Sequence, residues 1–120
     1  AAGEYLLKSI FVPWEQFEQE EFHVFLLNRH RCVTHHVMVY RGTIDAIHIR
    51  QAELFRTAVR LNAWGVLMSH NHPSGQALPS EDDLRAYRAS RQAGELLGIE
   101  VVDHIVIGHG AWQSIRALAD

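Results

Sequence analysis

Strand-like and helix-like segments follow one another along this chain of 120 residues, and their order limits the fold to few architectures. Short apolar and β-branched runs predict strands, and apolar positions spaced three and four residues apart predict helices. The predicted elements are a β-hairpin from strands 22–27 and 33–40, a helix at 52–61, a strand at 64–68, a helix at 80–97 ended by Gly98, a strand at 99–107 and a short strand at 112–115. This order predicts an α/β (α+β) domain with a mixed β-sheet flanked by helices.

The connecting segments carry their own signals. Aromatic and acidic residues at 13–20 predict one short helix before the first strand. The polar residues 28–31 read as the hairpin turn, and Arg41-Gly42-Thr43 is expected to end the hairpin. A loop is expected at 69–79, where His, Pro, Ser and Gly are concentrated.

The composition excludes several classes of protein. A single cysteine, Cys32, excludes a disulfide framework and a cysteine-built zinc site, so a metal site here must use His, Asp and Glu. The net charge of −3 with neutral histidines argues against a strong sequence-independent grip on nucleic acid. We expect no membrane segment, because no apolar run approaches the roughly 20 residues that a membrane helix needs. The first residues lack a leader pattern and a methionine, so a cytoplasmic fragment of a longer protein is expected.

One loop carries the chemistry. His70 and His72 are two residues apart, so an extended chain places both imidazoles on the same side. Asp83 follows eleven residues later, in the first turn of the second helix. Two neutral imidazoles and one carboxylate make a three-ligand Zn²⁺ site whose fourth position stays open for water. Such a site lowers the pKa of that water to about 7.

Each of these residues also has a plainer interpretation. Two histidines near a strand end are usually only polar and partly exposed. Ser80 with Asp83 fits a helix N-cap and a variant capping box, and Gly75 fits a simple turn. Capping and metal binding are compatible, because Ser80 can cap the helix while Asp83 faces a metal ion.

The whole string His70-Asn71-His72-Pro73, six residues, Ser80, two residues and Asp83 matches the JAMM (MPN+) metalloprotease motif without a gap. The longer form resembles the bacterial RadC-type branch of that superfamily, which carries a DNA-repair label. Further matches to that branch are Arg41-Gly42-Thr43, Asn62-Ala63, Gly94-Glu95-Leu96-Leu97-Gly98, and Asp103-His104 followed by Gly108. The resemblance covers roughly Glu21 to Ser114 and implies a single JAMM/MPN-like domain with a cytidine deaminase-like fold.

The resemblance also implies roles for individual residues. It makes His70, His72 and Asp83 zinc ligands, and it makes Ser80 a support for the bound water or the oxyanion. Such enzymes add a glutamate that takes a proton from the water and passes it to the leaving amine. Glu21, directly before the first strand, is the best match; its neighbour Glu20 and Glu53 on the first helix are alternatives.

The chain departs from the family pattern at two places. The family usually shows His-Pro-Arg after the position of Ile49, where this chain has Arg50-Gln51-Ala52. We expect no counterpart in this sequence of the N-terminal helix-hairpin-helix region of full-length RadC-type proteins, which has the clearest claim on DNA. We therefore divide the chain into a lead-in segment at 1–20 and a RadC-type JAMM/MPN domain at 21–120.

Other catalytic classes fit the sequence poorly. An HNH nuclease spreads its three residues over a hairpin and a helix, whereas His70-Asn71-His72 is contiguous. A zinc deaminase needs His-x-Glu with Pro-Cys-x-x-Cys, and a zincin needs His-Glu-x-x-His; neither motif occurs. A Cys-His protease would have to use Cys32, which has no motif around it.

The remaining histidines are expected to be ordinary surface or edge-strand residues: His23, His30, His35, His36, His48 and His109. Incidental metal capture is an alternative for the adjacent pair His35 and His36. For His104, beside Asp103, a structural hydrogen bond is expected, with a role behind a zinc ligand as the alternative.

Two functions are expected, in order. The first is a zinc-dependent hydrolase of peptide or isopeptide bonds that acts on a peptide or protein substrate. The second is a non-catalytic accessory or binding module in DNA repair or recombination, with a structural or vestigial metal site. A basic stripe on one face would favour DNA as a partner, and it would be formed by Arg56, Arg60, Arg85, Arg88 and Arg91.

Overall fold

A computed structural model describes residues 2–42 and 49–119 of the chain. The elements are α1 (Ala2–Tyr5), a π-helical turn (Leu6–Ile10), a 3₁₀ turn (Trp14–Gln16), β1 (Glu20–Leu27), β2 (Val33–Gly42), α2 (Gln51–Arg60), β3 (Gly65–Asn71), α3 (Glu81–Leu97), β4 (Glu100–Gly108), β5 (Ala111–Ser114) and α4 (Ile115–Ala119). In this part of the chain, no helix is long and apolar enough to cross a membrane.

The strands form one five-stranded mixed sheet in the order β2-β1-β3-β4-β5. β1 pairs antiparallel with both β2 and β3, whereas β3 and β4 run parallel and are joined through α3. β5 returns antiparallel to β4. The predicted α/β architecture with a mixed sheet and flanking helices is confirmed.

Two apolar clusters cover the two faces of the sheet. Phe22, Val24 and Leu26 of β1 point to one face, where they meet α2, α3 and α4. Phe25 and Leu27 point to the other face, which the N-terminal turns cover. Leu6 and Phe11 are fully buried there, so the residues before β1 contribute to the core. Because side chains alternate along β1, every second residue at the start of this strand faces the helices.

Several predicted boundaries differ from the observed ones. Residues 69–71 were expected in a loop, but they extend β3, because they continue the parallel pairing with β4 as far as Asn71 and Ile107. Arg41 and Gly42 were expected to end the hairpin and instead belong to β2; Thr43 and His48 lie outside the described residues. The short helix expected at 13–20 is reduced to one 3₁₀ turn, after which the chain enters β1 at Glu20.

The pairing of β1 with β2 is irregular at two places. Phe22 pairs with Tyr40 and His23 with Met38, so Val39 is an extra residue in β2. In the same way the pairs of Leu26 and Leu27 leave Thr34 as a second extra residue. β2, the edge strand, therefore contains two bulges.

Candidate metal centre

The three predicted metal ligands come together at one end of the sheet. His70 lies in β3, His72 follows the last residue of β3, and Asp83 lies in the first turn of α3. The Nε2 atoms of the two imidazoles are 3.1 Å apart, and Asp83 Oδ2 lies 3.1 Å from His72 Nε2. Asp83 Oδ1 lies 3.3 Å from His70 Nε2. Among the described residues this is the one group of three or more such side chains whose ligand atoms all lie within 4.8 Å.

These distances fit a small divalent cation. A tetrahedral ion with bonds of about 2.0–2.1 Å holds its ligand atoms about 3.3 Å apart. The two Nε2 atoms, 3.1 Å apart, are close to that separation, and each lies 3.1–3.3 Å from a different oxygen of the Asp83 carboxylate. His70 and Asp83 are buried, whereas His72 is half-buried, so the site opens to solvent on one side. Two nitrogens and one carboxylate suit zinc and related divalent ions and leave a further position unfilled by protein.

Both histidines are held by a second contact at the far side of the ring. His72 Nδ1 lies 3.1 Å from the carbonyl oxygen of Gln76, which can only accept a hydrogen bond. His70 Nδ1 lies 2.6 Å from Nε2 of His104. When each Nδ1 donates to its partner, each Nε2 carries a lone pair that points into the triad. That tautomer is the one that can bind a metal ion. In the metal-free protein each Nε2 instead lies within reach of an Asp83 carboxylate oxygen, to which it can donate when it is protonated.

His104 is buried directly behind His70. Burial lowers the pKa of His104 well below its ordinary value, and the nearby His70 acts in the same direction. A neutral His104 can accept the hydrogen bond from His70. The ring of Phe22 stacks on His70 and meets His104 edge-on, which fixes both planes. His104 does form a buried hydrogen bond, but its partner is the candidate ligand His70, which is the alternative that the sequence left open.

Ser80 and Asp83 form the predicted capping box at the start of α3. The Asp83 N–H donates to Ser80 Oγ over 3.1 Å, and the Ser80 N–H donates to Asp83 Oδ2 over 2.9 Å. Burial acts to raise the pKa of Asp83, but the hydrogen bonds from His70 and His72 outweigh it and lower the pKa far below the ordinary value. The hydrogen bond to Asp83 in turn raises the pKa of His72. Asp83 is therefore an ionised, oriented carboxylate at neutral pH.

The three candidate glutamates lie in different places. Glu21 projects to the face away from the triad, where Oε1 lies 2.9 Å from His23 Nε2 and Oε2 lies 3.6 Å from Arg41 Nε. Glu20, one residue earlier, lies two positions from Phe22 in β1, so both side chains face the same side of the sheet. The ring of Phe22 stacks on His70 on that side. The charge of Glu20 also acts to raise the pKa of His72. Glu53 lies in the first turn of α2. Of the three glutamates, only Glu20 has a charge that acts on the pKa of a triad residue, His72.

Comparison with known proteins decides the family. The profile of the "RadC-like JAB domain" matches residues 3–119. A UPF0758 protein of Symbiobacterium thermophilum is 44% identical over 97 residues, which cover 81% of this chain and 42% of the relative. The chain belongs to the RadC-like JAB domain family.

Two further UPF0758 proteins agree. One from Chloroflexus aurantiacus is 38% identical over 107 residues, which cover 89% of this chain and 47% of the relative. One from Staphylococcus epidermidis is 38% identical over 101 residues, which cover 84% of this chain and 45% of the relative. The RadC-like JAB domain described here thus spans less than half the length of these curated relatives.

A second polar cluster in this RadC-like JAB domain lies on the opposite face of the sheet. His23 was expected at the surface, but it is buried, with Nε2 against Glu21 and Nδ1 2.6 Å from His36 Nε2. Burial lowers the pKa of His23, although Glu21 acts to raise it. Burial and the neighbouring His23 lower the pKa of His36. The spacing of these histidines gave no signal, because their contact depends on the bulged register of β1 and β2.

The loop after β3 is seated against the end of β4. The His72 N–H donates to the Ile107 carbonyl over 2.9 Å, and the His109 N–H donates to the Gly75 carbonyl over 2.8 Å. A Cβ atom at residue 108 would lie 2.4 Å from the Gly75 oxygen. Gly108 therefore permits the close approach that places the Gln76 carbonyl behind His72. In the sequence Gly108 is only a match to the family pattern. The structure shows why a glycine is needed there, because the loop after β3 packs against it.

The arginines considered for DNA lie on α2 and α3 of the RadC-like JAB domain. Arg56, Arg60, Arg85 and Arg88 are exposed. Arg85 forms an ion pair with Asp82 over 3.2 Å, and the Arg91 guanidinium lies over the ring of Tyr87. Two of the five positive groups therefore have contacts within their own helix.

Proposed function

We propose that this domain is a zinc-dependent hydrolase of peptide or isopeptide bonds. The observation that carries the proposal is the triad of His70, His72 and Asp83, in which each Nε2 lies 3.1–3.3 Å from an Asp83 carboxylate oxygen and a partner stands behind each imidazole. A zinc ion held there would polarise a carbonyl group and lower the pKa of a water molecule at its open position. The relatives' names state no activity. The substrate class, a carbonyl carbon bonded to nitrogen, follows from the resemblance of the motif to that of JAMM metalloproteases.

Glu20 is the general base in this proposal. It accepts a proton from the attacking water and later delivers that proton to the leaving nitrogen when the carbon–nitrogen bond breaks. The products are a carboxylic acid and an amine. Its half-buried position and its electrostatic effect on His72 support this role. Glu21, the favoured match in the sequence, is engaged with His23 on the other face.

Ser80 supports the developing oxyanion in the same proposal. Its Oγ accepts the Asp83 N–H, so the hydroxyl hydrogen remains to be donated elsewhere. The residue is exposed at the rim of the site, where a substrate carbonyl could approach. A hydrogen bond made to the oxyanion and not to the ground-state carbonyl lowers the barrier.

The test begins with metal content and ends with a matched pair of variants. The purified protein should hold close to one zinc per chain, and the zinc-loaded form should cleave members of a mixed library of peptides and isopeptide-linked peptides. Glu20→Gln should retain zinc and lose cleavage, because the amide cannot accept the proton. Glu21→Gln is the matched control and should retain both.

Some outcomes would overturn these assignments. An intact fold with almost no bound zinc, or a zinc-loaded protein that cleaves no member of the library, contradicts the proposed activity. Cleavage that survives Glu20→Gln and disappears in Glu21→Gln returns the role of base to Glu21.

A further inference from the structure

Asn71 lies between the two histidines of the triad, and its side chain has no solvent exposure. We propose that Asn71 is a positioning residue: its carboxamide holds the backbone on both sides of Glu20 and so fixes the direction of that carboxylate. This inference rests on the proposed function, because it assumes that Glu20 is the base. It gives a function to Asn71, which is not one of the three candidate metal ligands.

The hydrogen bonds of Asn71 bracket Glu20. Main-chain pairing between β1 and β3 ends at Phe22 and His70. Beyond that point Asn71 Oδ1 accepts the Glu21 N–H over 2.7 Å, and Asn71 Nδ2 donates to the Gln19 carbonyl over 3.1 Å. The side chain thus continues the ladder where the main chain stops. One planar group fixes the peptide units before and after Glu20.

Strand geometry converts this backbone restraint into a side-chain direction. Successive residues of a strand point to opposite faces. The peptide bonded to Asn71 places Glu21 on the face of His23, which leaves Glu20 on the face of Phe22 and the triad. On the other side, Glu20 pairs with Gly42 of β2. The start of β1 is therefore held from both neighbouring strands.

The chemistry of the carboxamide explains why this position needs asparagine. The two bonds require one acceptor and one donor on a single short, flat group. A carboxylate of the same size would accept from the Glu21 N–H, but it could not donate to the Gln19 carbonyl. Leucine has a similar volume and can do neither. These two replacements therefore separate the roles of the two bonds.

The test uses the cobalt-loaded protein, whose visible spectrum reports the surroundings of the metal without any substrate. Glu20→Gln should move the pH midpoint of that spectrum downward, because loss of a nearby negative charge favours ionisation at the metal. Asn71→Leu should retain metal affinity and move the midpoint in the same direction. Asn71→Asp keeps the acceptor for the Glu21 N–H but adds a negative charge, which by itself moves the midpoint upward. This variant is therefore compared by amide exchange: the Glu21 N–H should exchange more slowly in Asn71→Asp than in Asn71→Leu. Ser69→Ala is the matched control: it removes another buried hydrogen bond of β3, from Ser69 Oγ to the Ile105 carbonyl, and should leave the midpoint unchanged.

The outcomes separate the two proposals. If Glu20→Gln leaves the midpoint in place, the assignment of Glu20 as base fails. If Glu20→Gln moves it and Asn71→Leu does not, the assignment of Asn71 alone fails. Should both Asn71 variants fail to fold, hydrogen exchange in the native protein decides: the Glu21 amide must exchange slowly, and fast exchange overturns the inference.

Discussion

Asp83 contributes one carboxylate both to the candidate metal site and to the N-terminus of α3. The same Oδ2 that faces His72 also accepts the Ser80 N–H of the capping box. Ser80 and Asp83 therefore cap α3, and the same Asp83 carboxylate also faces the two histidines. The two interpretations of these residues are both correct descriptions of the geometry. Because the cap orients the carboxylate, its position does not depend on a bound ion.

A substitution at His104 tests the contact behind His70. His104→Leu removes the group that accepts from His70 Nδ1 and leaves no acceptor in its place, so zinc affinity should fall by about 10- to 100-fold. The measurement is a competition titration with a chelator of known affinity. His23→Leu is the control, because it removes another buried histidine from the opposite face. Equal affinities for wild type and His104→Leu would show that His70 needs no such partner.

The buried His23 should make stability depend on pH in the metal-free protein. Its pKa is lowered in the fold, so its contribution is fully present above the ordinary value of about 6.5 and is lost as the pH falls toward the lowered value. Stability measured by chemical denaturation should therefore include a loss from His23 as the pH falls below about 6.5. The buried His104, whose pKa is also lowered, contributes in the same direction. His23→Gln should reduce the slope. His30→Gln, in the exposed turn, should not; an unchanged slope in His23→Gln would contradict the prediction.

Glu20 and Glu21 are adjacent in the sequence but face opposite sides of the sheet. The sequence alone does not say which of the two faces the triad. The motif spacing identifies all three triad residues, because they lie on one short segment with strong local signals. The glutamate comes from another strand, where a shift of one position sends the side chain to the opposite face. Only the register of β1 against β3, with Phe22 opposite His70, settles that phase.

At the scale of elements, the strands and the two long helices were predictable, and the short helical segments were not. α2, α3 and β4 were found within about one residue of their ends by hydrophobic period and, for α3, by Ser80 and Gly98. The turns at 2–10 and α4 are too short to show a period. Their helical form depends on packing against the sheet, which local sequence does not encode.

The contact between the loop after β3 and the end of β4 leads to a prediction about Gly108. Gly108→Ala should push the Gly75 carbonyl away and displace the Gln76 carbonyl behind His72, so zinc affinity should fall while the sheet persists. Titration and far-ultraviolet circular dichroism measure the two effects. Gly110→Asn is the control, because its φ of 68° suits asparagine and a Cβ there meets nothing within 4 Å. An equal loss of affinity in both variants would contradict the specific role of Gly108.

At the scale of the whole molecule, the candidate metal site is largely preformed by the fold. We expect a chelator to remove the metal without loss of secondary structure by circular dichroism. Restoring zinc to a thousandfold excess over Kd should stabilise the protein by about 4 kcal/mol, measured as a rise in the denaturation midpoint. Unfolding on chelation would show instead that the ion is required for the fold.

The accessory role in DNA repair has its own prediction. With a net charge of −3 and Arg85 already paired, this domain should not bind DNA measurably even at low ionic strength. Fluorescence anisotropy with a labelled duplex measures this, with Arg56→Gln/Arg60→Gln as the matched variant. Steeply salt-dependent binding that this variant weakens would favour the accessory role.

The two bulges in β2 bear on how the molecule avoids association with itself. An edge strand of ten residues offers a row of backbone donors and acceptors to any other extended chain. Val39 and Thr34, the extra residues, interrupt the even spacing of that row and increase its twist. A second copy could therefore not continue the ladder in register along the whole strand. The irregular edge favours a dispersed protein over a growing stack of sheets.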